Sequence, residues 1–275
     1  LLFPTSFGYF SPFVVAEAKK NPKVQFRHCG GLWTDKDPKN VGSYFGYIDE
    51  AQYVAGIVAG HSTKSGKLGF VAAKPIPQLL RNVNAFLLGA RLAKPDATLQ
   101  VIFTGDWSMP VKEAEATNSL IDAGVDVVTC HVDGPKTVME NAARRGAMIS
   151  GYHVNAAPLA PEAYLTGAEW NWEAIYPKFV KMFTSGETIP NFYRGGLKEE
   201  IVKLSPYGPK VSEQARKHAD EVKAKLMTGS YVMYKGPIKD NKGNTVIAAG
   251  AEQATTAPEL ESMNYLVEGV IGSTS

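Results

Sequence analysis

Cysteine is scarce here and long apolar runs are missing. Cys29 and Cys130 are the only thiols in 275 residues, too few for a disulfide framework and compatible with either redox compartment. The longest apolar stretches, such as Tyr53 to Gly60, fall well short of the ~20 residues that cross a bilayer, which excludes an integral membrane helix. Neither sign of charge dominates. Lys+Arg 29 against Asp+Glu 27 leaves +2, so no nucleic acid or other polyanion is expected as a partner. The chain begins Leu-Leu-Phe-Pro, without Met or a charged-then-apolar leader, which predicts a processed or truncated start and no signal segment.

Common enzyme signatures are also missing. No GxGxxG follows a strand, and neither GxSxG nor HExxH occurs. Gly60 to Lys67 looks superficially like a phosphate loop. It has five residues between Gly60 and Gly66 instead of four, and a strand rather than a helix is expected after Lys67, so no helix N-terminus is aimed at a phosphate. His28 beside Cys29 and His131 beside Cys130 suggest a metal site, but neighbours on a strand point to opposite faces, and buried packing is the expectation for all four.

What remains is an ordinary globular composition, 44% hydrophobic and 20% charged, long enough for one large α/β domain or two lobes. From Lys67 to Val154, β-branched or aromatic runs alternate with amphipathic stretches, as βαβ units do. Strands are predicted over Lys67–Ala73, Leu99–Thr104, Val125–Cys130 and Ala147–Tyr152. Helices are predicted over Pro77–Lys94, from Pro110 to Gly124 with Ser108 as its cap, and over Pro135–Arg145. Four such steps predict a doubly wound lobe. Upstream, strands at Leu1–Thr5 and Val24–His28 flank a helix from Pro12 to Lys20, and an apolar helix follows over Tyr53–Ser62. Two strands make no stable parallel sheet, so later segments or residues before Leu1 must complete it. Downstream, helices are expected over Ile175–Phe183 and Ser212–Met227. The second is strongly charged and is read as a solvated face. Tyr231–Tyr234 and Thr245–Ala248 are expected to form a hairpin around Lys239–Asn244.

In open α/β sheets ligands bind beyond the carboxyl ends of the strands. There the sequence offers Ser6-Phe7-Gly8-Tyr9-Phe10, then Gly105-Asp106-Trp107-Ser108, then His153-Val154-Asn155. Flat rings, amides and hydroxyls with few charges suit a planar, polar, uncharged ligand, stacked on its faces and hydrogen-bonded at its edge. Blander readings compete. Phe7, Tyr9 and Phe10 could be core aromatics and Asn155 a turn residue. Packing is the default for at least one of Trp170 and Trp172, and His61 and His153 are expected in solvent or loops. Trp107, in a Gly-containing turn before Pro110, is the ring most in need of a cover.

Thr5-Ser6-Phe7-Gly8-Tyr9, Tyr53 to Gly60 and Lys67-Leu68-Gly69-Phe70-Val71 resemble the basic membrane protein (BMP, PnrA-like) family of ABC-transporter solute-binding proteins. So do Gly105 to Pro110, Leu120 to Asp126, Leu159-Ala160-Pro161, Leu165-Thr166-Gly167 and Gly236-Pro237-Ile238, an ordered succession across nearly the whole chain. The resemblance implies a type I periplasmic-binding-protein fold: two doubly wound α/β lobes joined by hinge strands, closing on a ligand. The expected lobes are residues 1–64 with about 156–189, and 65–155 with about 190–210, leaving 211–275 unassigned; the crossings fall near Ser65, Asn155 and Ile189. It also implies that Leu1 matches the family's third strand, so the first lobe lacks two βα units, roughly 60 residues at about 30 per unit.

Functionally, the resemblance implies a non-enzymatic, monomeric, extracytoplasmic protein, periplasmic or membrane-anchored, that needs no cofactor or metal. Its ligand is a purine base (adenine, hypoxanthine, guanine, xanthine or urate) and its partner an ABC permease. A purine nucleoside binder, a nucleobase-acting enzyme and an intracellular sensor on the same fold are the alternatives. Ser6, Phe7, Gly8 and Tyr9 are implied as one wall, and Trp107 as the stacking ring of the other. Asn155 stands where the family often has Asp, which would favour an oxo-purine. Trp170 stands where nucleoside binders tend to have Lys, which favours a bare base.

Overall fold

A computed structural model describes residues 1–274, apart from the side chain of Phe7. The chain divides into two compact units, Leu1–Tyr47 with Asn171–Ile201, and Ile48–Trp170 with the chain from Val202 onward.

In the first unit, the amino-terminal segment runs alongside residues 25–29. Leu2 bonds through its N–H to Gln25 and through its carbonyl to Arg27, and the Pro4 carbonyl accepts from Cys29. Pro4 has no N–H to continue the ladder, so the expected strand at Leu1–Thr5 reduces to a single bridge between Leu2 and Phe26. Irregular helical turns over Phe7–Tyr9 and Phe10–Val14 lead into α1 (Val15–Lys20), with Ser11 extended just before the helix expected from Pro12, which becomes regular only at Val15. Strands β1 (Phe26–Cys29) and β2 (Val41–Gly46) follow and pair in parallel.

The second unit opens with α2 (Ile48–Ser62), then alternates β3 (Lys67–Ala72), α3 (Pro77–Ala93), β4 (Thr98–Phe103), α4 (Pro110–Asp122), β5 (Val127–His131), α5 (Lys136–Arg144), β6 (Met148–His153) and β7 (Tyr164–Trp170). The chain returns to the first unit for α6 (Trp172–Ser185) and β8 (Phe192–Gly195), which pairs in parallel with β2 and supplies the missing third strand. It ends in the second unit with β9 (Val202–Leu204), α7 (Glu213–Thr228), β10 (Tyr234–Lys235), β11 (Ile238–Lys239), β12 (Thr245–Ile247), β13 (Glu252–Gln253), α8 (Pro258–Glu261) and β14 (Val270–Ile271).

The large sheet runs β14-β4-β3-β5-β6-β7-β9, parallel except for β9. Its strand order reverses at β3: the chain goes to β4 on one side and then returns to β5 on the other. The topological switch point, where open sheets bind ligands, lies at the carboxyl ends of β3 and β5.

These units differ from the lobes expected at Ser65, Asn155 and Ile189. The reason is packing. Helix α2 crosses α3 with backbones nearly touching: a Cβ on Gly89 would lie 2.0 Å from the Tyr53 carbonyl oxygen, and one on Gly56 2.1 Å from that of Phe86. Asp49 of α2 is buried with Arg81 of α3, Arg81 Nη2 lying 2.9 Å from Asp49 Oδ2. Arg81 also donates to the Thr255 carbonyl, and Tyr234 donates to Asp49. That cluster fixes the carboxy-terminal segment, unassigned by sequence, in the second unit.

Other elements depart in detail. Met109, not Ser108, precedes α4, and the carboxylate of Glu113 accepts from the Met109 N–H at 2.8 Å. The Lys239–Asn244 turn is a hairpin, but β12 pairs with β11, while Tyr234–Lys235 pairs with β13. Helix α7 is charged outside yet buries Ala215, Ala219, Val222 and Leu226. No helix among the described residues is long and apolar enough to cross a membrane.

Candidate functional site

The carboxyl edge of the large sheet gathers five rings. The loop after β4 bends past β3, because the Trp107 carbonyl accepts from the Asp133 N–H at 2.8 Å. This carries the Trp107 indole to 5.9 Å from the His131 ring, centroid to centroid, at the switch point. His131 packs at 4.5 Å from Tyr152, and Tyr152 at 4.1 Å from His153. Trp170, the last residue of β7, donates its indole N–H to His153 Nδ1 at 2.9 Å.

The hydrogen bonds set the protons. His153 Nε2 lies 3.0 Å from the Val132 carbonyl, which can only accept, so the proton sits on Nε2 and Nδ1 receives Trp170. His153 holds φ +72, a left-handed backbone uncommon outside glycine. Burial pushes its pKa down to about 4, against the small opposing effect of the Val132 bond. Burial, aided by neighbouring His153, drives His131 well below the usual histidine range. Both imidazoles are therefore neutral at physiological pH. At the rim, Lys74 and Asp106 pair at 2.9 Å, and the Lys74 bond holds Asp106 below the usual carboxylate range. Asp133 is pushed upward, by burial first and then by Asp106.

The first unit is built differently. Ser6 is exposed, and its carbonyl accepts from His28 Nε2 at 2.8 Å, tying the segment to β1. Gly8 has open space where a Cβ would stand. Tyr9 is 57% exposed and meets the edge of Phe13, itself 62% exposed. Phe10 is buried against His28, so the core reading holds for Phe10 and not for Tyr9. The Phe7 side chain lies outside the described residues.

Of the sequence candidates, the structure brings Trp107 and Trp170 into one ring cluster, and Ser6, Gly8 and Tyr9 onto one segment. Asn155 is exposed, and its Oδ1 accepts from the Ala157 N–H at 3.0 Å, the turn role weighed against ligand contact. Trp172 packs on Tyr44 and Tyr176. His153 and His61, expected in solvent or loops, both have partners; His61 Nε2 lies 3.0 Å from His218 Nδ1. His131 is buried, as expected of a strand histidine, but at the ligand end of the sheet. Its partners are remote in sequence, so only its place at the end of a predicted strand could have marked it. Among the described residues no His/Cys/Asp/Glu group has the numbers to hold a metal ion.

Comparison with known proteins gives this arrangement a context. The family model described as ABC transporter substrate-binding protein PnrA-like matches residues 1–236. The chain belongs to this family. PnrA-like proteins are solute-binding proteins rather than enzymes, and they work outside the cytoplasm with a small-molecule ligand and a membrane permease. A purine-binding protein of Brucella abortus is 33% identical over 270 residues, 98% of this chain and 75% of its own length. A Haloferax volcanii protein, named provisionally as an ABC transporter glucose-binding protein, is 30% identical over 272 residues. It aligns with 99% of this chain, which spans 65% of its length. A solute-binding protein of Aeropyrum pernix K1 superposes with TM-score 0.71 at 19% identity, covering 86% of this chain and 76% of that one. The PnrA-like chain thus has the α/β periplasmic-binding-protein fold, with mainly parallel sheets.

Proposed function

We propose that this PnrA-like chain captures a purine base and delivers it to an ABC permease. The observation that carries the reading is the Trp107–His131 pair at the switch point, a stacking ring beside a polar group held neutral. A neutral heterocycle fits it: one face on indole, worth about 1–3 kcal/mol by analogy with base-stacking proteins, and its edge on fixed hydrogen-bonding groups. The purine-binding name of the Brucella relative supports the same class.

In this reading Trp107 stacks on one face of the base, Trp170 contributes ring surface because its N–H is committed to His153, and Asn155 offers its amide nitrogen. Ser6, Phe7, Gly8 and Tyr9 form the first unit's contribution. The ligand acts by differential affinity, shifting the protein toward the state that binds it better. The protein acts as a monomer in the periplasm or anchored outside the membrane, and the bare base is preferred to the nucleoside.

Calorimetric titration with adenine, hypoxanthine, guanine, xanthine, urate, adenosine and glucose tests the proposal. Saturable heat with a base, and none with glucose, is expected. Binding of glucose alone overturns it, and tighter binding of adenosine than of any base turns it into a nucleoside reading.

A further inference from the structure

We infer that His131 is the donor that orients the ligand, and that the ligand therefore turns an in-plane acceptor, a ring nitrogen or an oxo group, toward its Nε2–H. The inference deepens the purine reading and rests on it.

Asn82 of α3 is 1% exposed, and its Nδ2 lies 2.9 Å from His131 Nδ1 and 3.3 Å from the Tyr152 hydroxyl. With the Asn82 amide placed so that Nδ2 faces both groups, which leaves Oδ1 buried without a hydrogen bond, Nδ2 donates, His131 Nδ1 accepts and the imidazole proton resides on Nε2. The ring cannot readily turn, since it is held against Tyr152 on one side and near Trp107 on another. His153 is different. Its Nε2–H is given to Val132 and its Nδ1 is filled by Trp170, so it has nothing left to offer a ligand edge. His131 Nε2, by contrast, makes no hydrogen bond among the described residues, and it is not among the unpartnered atoms sealed from solvent.

Of the two imidazoles at the end of this sheet, one is closed upon the protein and one retains a donor. Neutrality then decides the partner. An imidazolium would draw an anion and would release it as the pH rose through neutrality, whereas a neutral N–H selects an uncharged acceptor. Every purine in the proposed panel except urate, an anion at neutral pH, has such an acceptor at a ring nitrogen or an oxo group, and the donor's fixed direction next to the indole dictates which edge enters.

The experiment begins with the unaltered protein, titrated with the purine panel to establish the base it binds. His131→Phe and His131→Gln are then titrated with that base, after thermal unfolding has verified that each folds. Expected is an affinity loss of about tenfold or more for His131→Phe, the scale of an unmade buried hydrogen bond. Partial recovery is expected for His131→Gln, whose amide keeps an N–H. Two-bond proton–nitrogen correlation spectra of the unaltered protein should show His131 protonated on Nε2 alone, with that nitrogen shifting on ligand addition. Affinity should stay level between about pH 5 and 8.

A purine that binds His131→Phe within about twofold of the unaltered protein overturns the inference while leaving the purine reading intact. So does a spectrum showing the proton on Nδ1, or a charged ring at neutral pH, and these need no variant to fold. Absence of purine binding in the unaltered protein overturns both.

Discussion

The two units hold their candidate ligand groups in opposite ways. At the carboxyl edge of the large sheet, Trp107, His131, Tyr152, His153 and Trp170 brace one another, and each imidazole has its proton placed by a neighbour. On the first unit, Tyr9 and Phe13 stand exposed on irregular turns, with the Ser6–His28 bond as an anchor at the near end. The contrast teaches how a binder can divide labour. Preorganised groups supply direction at little ordering cost, while a less restrained aromatic segment keeps its freedom until something binds it.

Four measurements would break or sharpen that contrast. The largest effect is expected from Arg81→Ala, which removes the buried cation paired with Asp49 and leaves that carboxyl group only the Tyr234 hydroxyl. About 3–5 kcal/mol of stability should be lost, read as a lower urea midpoint. A loss below about 1 kcal/mol, the range of exposed pairs, would show that the second unit is not clamped there. Next is Trp107→Ala, expected to weaken purine binding by about 1–3 kcal/mol with unchanged unfolding. Tyr9→Ala should cost less, and the reverse order would invert the comparison.

Third, Gly89→Ala places a methyl against the Tyr53 carbonyl and should destabilise by about 1–3 kcal/mol. Gly8→Ala, where nothing lies within 4 Å of the new atom, should stay within about 0.5 kcal/mol in the same urea titration. The smallest effect is on pH. His131 and His153 have folded pKa values below the unfolded value of 6.5, so the unfolded chain binds more protons on acidification. Stability is then fully present above about pH 6.5 and is lost as the pH falls, for His153 down to about 4. The slope is at most about 1.4 kcal/mol per pH unit for each extra proton. A melting temperature that rises on acidification from pH 7 to 5 would show that these rings are charged in the fold.

The stretch from β3 to β6 was legible in the sequence because each of its elements carries its own period: these strands and helices fall within two residues of where alternation and amphipathicity place them, whereas α2 begins five residues before its expected start and β7 was not anticipated. The first unit was less legible. Val41–Gly46 lacks polar–apolar alternation because it lies between β1 and β8 in its sheet and is mostly buried, and Pro4 interrupts a ladder that the residues around it would otherwise continue. Ser108 is not the cap because the helix begins one residue later than that role requires: Met109 occupies the cap position, and its N–H is given to Glu113. In the site, Trp107 was visible from its turn alone. The protonation of His131 and His153 was not, since it depends on Asn82, 49 residues away, and on the Val132 carbonyl, 21 away. Local pattern reports which strand a residue ends; only the assembled sheet reports which atom faces it.

One feature at the sheet's margin bears on self-association. Strand β14 adds only Val270 and Ile271 beside the six residues of β4, and the Asn241 amide binds the carbonyls of Val270 and Gly272. A neighbouring molecule that tried to extend the sheet would meet only two rungs, with the carbonyl of Val270 and that of Gly272 just beyond them already engaged. β4 would otherwise present a full-length template for fibrillar growth, which that short strip of backbone blunts.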